Sequence, residues 1–299
     1  MARILVVGTV RDVSGNFLRD ISRIQKAFSD FDEISFFFVE SDSSDNTLGL
    51  LKKLSVELTN FKYISLGQLS PNVASRIERI RISRNSYVSF IRENTSEFDY
   101  VVVADMDGIN SSLSRRSISK CFENLSWDAV FPNQPFGYFD ILALRHKFLQ
   151  PHDYTEELDW RKSLIEIPIN ASNWRQKVRL MWQFDRARHD ALYSKMLRIS
   201  KKSKWIEVDS AFGGLGIYRI ALFEHANYGE VGVLKVCEHV HFHEELRRKG
   251  AKLYIVPSFV NSNINTYNIN KVFLIRQARR LLWNSKFYTF VTARLGVFK

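Results

Sequence analysis

The pattern of apolar and polar positions alternates between two periods along the first hundred residues. ARILVVG (2 to 8) is a short apolar run, and Phe17, Ile21, Ile24 and Phe28 then recur at helical spacing. EISFFFVE (33 to 40) is a second run. SDSSDNT (41 to 47) supplies turn and cap residues before Leu48, Leu51, Leu54 and Leu58. FKYISLG (61 to 67) gives a third strand, SPN (70 to 72) introduces a helix through about Glu93, and DYVVVAD (99 to 105) gives a fourth strand. Strands alternating with helices in this way predict an α/β fold with a mostly parallel, twisted sheet flanked by helices.

Further strands are expected at WDAVFPN (127 to 133), YFDILALR (138 to 145), WIEVD (205 to 209) and KLYIVPSFV (252 to 260). Residues 151 to 204 carry mixed charge, Trp160, Trp174 and Trp182, and no strand pattern. They are expected to form a helical insertion over the sheet. Residues 1 to 270 thus read as one elaborated domain, and 271 to 299 as a tail.

Composition adds little until charge is located. An apolar fraction of 45% with 25% charged residues in 299 positions fits a globular protein with a large core. Cys121 and Cys237 show no pairing or finger spacing, which favours a reduced compartment. The opening run before Arg11-Asp12 is too short for a signal peptide or a membrane span.

The net charge of +11 is concentrated in residues 271 to 299, which hold seven Lys and Arg and no acid, leaving +4 for the rest. Aromatic and apolar residues interleave with Arg279, Arg280 and Lys286, as an anionic lipid surface would require. The other reading is a packed C-terminal helix with a solvated basic face. Nucleic acid is not expected as a partner, because no recognition module accompanies the charge. A tail on anionic lipid predicts a cytoplasmic protein held peripherally at the inner face of the membrane.

Candidate chemistry centres on Asp105-Met106-Asp107-Gly108 at the end of the fourth strand. Ligands in open α/β sheets bind beyond the carboxyl ends of strands. Two carboxylates there suit a hard divalent cation completed by diphosphate oxygens and water, whereas a plain turn would use them on backbone amides. DMDG also resembles the motif of haloacid dehalogenase-type phosphatases. Its late position, Ile109 after the glycine and the lack of a downstream acidic pair count against that. In the helix at 75 to 93, Arg84 occupies the apolar stripe of Ile77, Ile80, Tyr87 and Ile91, so it needs an anion: a structural acid, a nucleotide phosphate or the aspartates themselves.

These stretches resemble a family. VESDSSDNT (39 to 47), VVVADMD, AFGGLGIYR (211 to 219) and CEHVHFHEELRRKGAK (237 to 252) are similar, in order, to four elements of GT-A (Rossmann-like) glycosyltransferases. With RISRN (81 to 85) and YFDILALR they look nearest to the fungal capsule-associated α-1,3-mannosyltransferases of cryptococcal type. The resemblance covers about residues 3 to 260.

It implies metal-dependent transfer of a hexose from a nucleotide-diphosphate sugar, GDP-mannose-like, to a hydroxyl of a glycan or lipid-linked glycan, with Mn²⁺ or Mg²⁺ as cofactor. It assigns Val10, Arg11, Glu40, Asp45, Arg84, Asp105, Gly213 and Gly214 to the donor. Asp107, with Asp105 and with His243 or His241 in place of a missing later histidine, would hold the metal. Glu238, His239 and Asp140 are the catalytic candidates, and the insertion would lie on the acceptor side. His239 departs from the pattern, standing where inverting members place an aspartate. An imidazole there could act as a base, or no base is used and configuration is retained.

Other readings remain. Asp45 would serve equally as a helix cap, and Gly213-Gly214 as a turn. CEHVHFH invites a zinc site, although its spacing matches no finger. A non-catalytic nucleotide-sugar binder of the same fold, or a sugar-phosphate nucleotidyltransferase using Gly8-Thr9 and Arg11, would share parts of the pattern.

Overall fold

A computed structural model describes residues 2–165, 174–229 and 236–272. Most of the basic tail, with Arg279, Arg280 and Lys286, lies outside the described residues. The chain runs β1 (Arg3–Val10), α1 (Phe17–Ala27), β2 (Glu33–Glu40), α2 (Thr47–Glu57), β3 (Phe61–Ser65), α3 (Arg76–Glu93), β4 (Tyr100–Ala104), α4 (Arg115–Phe122) and β5 (Ala129–Asn133). After the insertion helices α5 (Tyr154–Ser163) and α6 (Trp174–Ala191) come β6 (Ile206–Glu207), β7 (Leu215–Arg219), α7 (Glu238–Arg248) and β8 (Leu253–Val260).

The strands form an 8-stranded sheet in the order β3-β2-β1-β4-β7-β5-β8-β6. β3, β2, β1 and β4 are mutually parallel, and β5 and β8 are parallel to each other, while β7 and β6 pair antiparallel with their neighbours. Parallel strands carry apolar residues on both faces because helices cover both. Leu5, Val7, Val101 and Val103 pack with Tyr87, Val88 and Ile91 of α3 and Phe242 and Leu246 of α7. Ile4, Val6, Val102 and Ala104 pack the other way, with Phe17, Ile21 and Ile24 of α1, Leu51 of α2 and Ile118 of α4.

One expectation is corrected, and the zinc alternative is narrowed. Residues 138 to 145 form turns, with one isolated bridge between Arg145 and Ser210. Tyr138, Ile141, Ala143 and Leu144 are buried, so the apolar run fills core from a loop. The CEHVHFH stretch is helical from Glu238, so of its histidines only His239 and His243, four residues apart, share a face, and among the described residues no zinc set is gathered there.

The arrangement that positions the site is the meeting of one antiparallel strand with parallel ones. β1 and β2 end in register at Val10 and Glu40, and β4 ends at Ala104 beside them. Because β7 runs the opposite way, its first residue, Leu215, pairs with Ala104. The preceding Phe212-Gly213-Gly214 loop is thereby set against Asp105, whose N–H donates to Gly214 O at 3.0 Å.

Candidate active site

A cleft of about 530 Å³ opens at the carboxyl ends of β1 and β4. Its walls include Val10, Arg11, Asp42, Arg84, Asp105, Asp107, Asp140, Phe212, Glu238 and His239. Asp105 and Asp107 reach it because the DMDG turn is pinned by its backbone. Met106 is buried, and Gly108 turns the chain at φ +89°. Asp20 Oδ2 accepts from Gly108 N at 2.8 Å, and Asn16 Nδ2 donates to Asp107 O at 3.1 Å.

Behind the turn lies a buried amide network that sequence reading missed. Asn110 Nδ2 donates to Asp105 O and Gly214 O. Asn261 Nδ2 donates to Asn110 Oδ1 and Gly213 O, and Gln134 Nε2 donates to Gly213 O and Asn261 Oδ1. These amides lock the glycine loop to the aspartate turn, and scattered Asn and Gln give no local pattern by which to find them. The network also explains Gly213 and Gly214. Both have positive φ, and an added Cβ would lie 2.6 Å from Gln134 Nε2 or 2.7 Å from Ile109 Cγ2. Their glycine requirement is met by packing; Phe212 is the member of that loop on the cleft wall.

Arg84 is buried in the α3 stripe, and its anions are protein acids. Its Nε donates to Glu238 Oε1 at 3.1 Å, and an NH2 nitrogen lies 3.8 Å from Asp105 Oδ1. Tyr87 OH accepts a further bond at 3.1 Å, and the guanidinium carbon is 5.4 Å from the ring centroids of both Phe212 and Tyr228. Burial opposes its charge, but Tyr87 and Glu238 outweigh that and hold its pKa well above the ordinary value.

The acids crowd one another. Asp105 has 41% of its side-chain surface open to the water of the cleft, yet the protein packed around it raises its pKa to about 7. Arg84 opposes that rise, and Asp107, Asp140 and Glu238 add to it. Burial likewise raises Asp140 to about 6, against the pull of Gly213 N–H, which donates to Asp140 Oδ2 at 2.9 Å.

Among the described residues no group of three or more His, Cys, Asp and Glu is gathered for a metal. Asp105 and Asp107 still fit a hard cation that takes its remaining ligands from diphosphate and water. They are oxygen donors on the cleft wall, and their mutual repulsion is what a divalent charge would relieve. Asp107 also makes the bond a plain turn predicts, accepting from Ile109 N at 3.1 Å, while its other oxygen accepts from Tyr267 OH at 3.0 Å.

Several predicted site residues lie away from the cleft wall or only at its mouth. His243 is fully buried between Ser210 Oγ at 2.8 Å and Tyr218 OH at 3.0 Å, away from the cleft wall. Both ring nitrogens are engaged, which removes it as a metal ligand. Burial also drops its pKa to about 3. Glu40 accepts from Ser43 N and Ser65 Oγ. Asp45 accepts from Ser14 N and Oγ and from Thr47 N and Oγ1, which hold it at about 2 despite partial burial. Both carboxylates are used to shape the turn. The acid this turn gives to the cleft is Asp42, missed in the sequence, which has φ +58° and lies 3.4 Å from Arg79 Nε. Arg11 is half exposed at the mouth, paired with Asp12 at 3.4 Å.

His239 does line the cleft. It is 2% exposed and stacks on Phe212 with ring centroids 3.8 Å apart. Neither nitrogen has a hydrogen-bond partner among the described residues. Burial, then the Arg84 charge, lowers its pKa well below the ordinary value, so the ring is neutral.

No protein-family model and no curated protein matches the sequence. Solved structures are similar to it at TM-scores below 0.5. One is the mannosyltransferase PcManGT of Pyrobaculum calidifontis in complex with GDP-Man and Mn²⁺, at 12% identity and TM-score 0.46, over 94% of this chain and 62% of that one. Another is TarS residues 1–349 of S. aureus in complex with UDP-GlcNAc, at 12% identity and TM-score 0.44, over 96% of this chain and 68% of that one. The chain thus spans less than two thirds of the mannosyltransferase's length.

Proposed function

We propose that the protein is a metal-dependent glycosyltransferase that moves a hexose from a nucleotide-diphosphate sugar to a hydroxyl of a glycan or lipid-linked glycan. The observation that carries this reading is the convergence of Asp105, Asp107, Asp140 and the Arg84–Glu238 pair in one cleft beyond the parallel strands.

Asp105 and Asp107 would hold Mn²⁺ or Mg²⁺, and the ion would supply charge neutralisation to the diphosphate leaving group. The protein's own contribution is positioning. Arg84 holds Glu238 in place, and the amide network keeps Asp105 against the glycine loop. Asp140, on the wall of the same cleft, is placed to exchange a proton with a hydroxyl. His239 is neutral and brings no carboxylate to its position, which supports retention of configuration and a part in hydrogen-bonding sugar hydroxyls. A GDP-mannose-like donor, the likeness to capsule-associated mannosyltransferases and a membrane-bound tail belong to the same reading. Among the described residues no helix is long and apolar enough to cross a membrane.

The neutral, unpartnered His239 also favours a second reading, a binder of nucleotide sugars without turnover. Incubation with GDP-mannose, UDP-GlcNAc and related donors plus Mn²⁺ separates the two. The enzyme releases nucleoside diphosphate slowly to water even without acceptor, whereas a binder releases none.

A further inference from the structure

A second pocket, of about 520 Å³, opens off the cleft on the side of α5 and α6. The two pockets share Arg76, Asp105, Asp107, Asp140, Leu142 and Tyr267, so they meet where transfer would occur under the function proposed above. Charge is divided across the second pocket. Its acids, Asp105, Asp107 and Asp140, stand on the sheet side together with Arg76 of α3, whereas both charged residues contributed by the insertion, Lys162 and Arg188, are cations.

Among the described residues none of the insertion's acids lines this pocket. Glu157 and Asp190 pair with Arg161, and Asp190 also lies 3.8 Å from Arg186. Lys162 reaches Asp159 at 3.2 Å, but that aspartate is 68% exposed, and such a surface pair is weak. Arg188 is exposed. Between the two charged walls lie Ile141, Leu158 and Leu192, and Phe139 stacks on Tyr267 with centroids 5.1 Å apart and planes 15° apart. Such a pair offers a flat apolar face to a sugar ring or hydrocarbon.

We infer that this pocket takes an anionic acceptor, a glycan or glycolipid whose phosphate or carboxylate rests against Lys162 and Arg188. The inference rests on the glycosyltransferase reading. Lys162 and Arg188 hold the ligand's charge at the insertion, which leaves its neutral hydroxyl end toward Asp105 and Asp140. A neutral acceptor would leave the two cations with no role in the pocket.

Isothermal titration of the full chain tests this with decyl phosphate, a glucuronate-containing oligosaccharide and, as neutral control, decyl maltoside. At least one anionic probe is expected to bind tenfold or more tighter than the control, and to lose about tenfold or more in K162Q/R188Q, whose thermal unfolding checks its fold. The anionic probe that binds tells lipid phosphate from acidic glycan. Absence of anionic binding, equal binding of the neutral control, or unchanged binding in the double variant overturns the inference. GDP and UDP with Mn²⁺, titrated in parallel, read the donor site separately. Their failure on the wild-type chain, with anionic binding intact, would sink the glycosyltransferase reading and leave the anion site standing. Their unchanged binding in K162Q/R188Q places the lost charge outside the donor site.

Discussion

Arg84 Nε donates to Glu238 Oε1 at 3.1 Å, joining α3 to the first turn of α7 across the back of the candidate active site. A guanidinium with 6% of its side-chain surface exposed and a carboxylate with 11% each stabilise the other's charge, and neither is tolerable alone. Arg84→Met is expected to destabilise the protein by about 3–5 kcal/mol, read by urea unfolding. Arg84→Lys should recover little, because an ammonium cannot serve Glu238 and Tyr87 from between the Phe212 and Tyr228 rings. A loss below about 1 kcal/mol for Arg84→Met would mean that Glu238 finds another partner.

Acid should weaken the fold before the carboxylates with lowered pKa titrate. His243 ionises near 6.5 when unfolded but only near 3 when folded, so between those values the unfolded chain holds the extra proton. Its contribution is fully present above pH 6.5 and is lost as pH falls toward 3. The slope is at most about 1.4 kcal/mol per pH unit, and His239 adds in the same direction. In His243→Gln the dependence of unfolding free energy on pH should flatten across that window. An unchanged slope would show that His243 is not held neutral.

The glycine loop offers an internal control. Gly214→Ala meets both positive φ and Ile109, and should cost about 2–3 kcal/mol. Gly67→Ala has φ +64° with nothing within 4 Å of the new Cβ, and should cost only about 1 kcal/mol. Equal losses would contradict the close packing of the loop on the DMDG turn.

The parallel core was legible because a strand buried on both faces reads as a continuous apolar run, as VVVA does in β4. Arg84 was legible for the opposite reason, as a charge breaking an apolar stripe. Residues 138 to 145 were misread because a buried loop around Tyr138 and Leu144 is as apolar as a strand. Glu40, Asp42 and Asp45 look alike in VESDSSDNT; what separates them is Ser14, Ser65 and Arg79, brought in from three other parts of the chain. His243 owes its fate to Ser210 and Tyr218, and each member of the Asn110–Asn261–Gln134 network bonds a residue 104 or more positions away. Period and composition carry no trace of such partners.

The tail is tested by removal. Deleting residues 271 to 299 should reduce cosedimentation with phosphatidylserine vesicles and leave that with neutral vesicles unchanged. Retained binding to the anionic vesicles would reject the tail as an anchor.

Thermal unfolding with GDP or UDP, with and without Mn²⁺, tests most directly a metal and nucleotide site built on Asp105 and Asp107. At a concentration about 100-fold above its Kd, the true diphosphate with Mn²⁺ should stabilise the protein by about 2.7 kcal/mol, a rise of roughly 5 °C in Tm. That rise should require the metal and vanish in Asp107→Ala, whose own Tm without ligand stays near the wild-type value. A rise that is the same without Mn²⁺, or that survives in Asp107→Ala, would contradict the site.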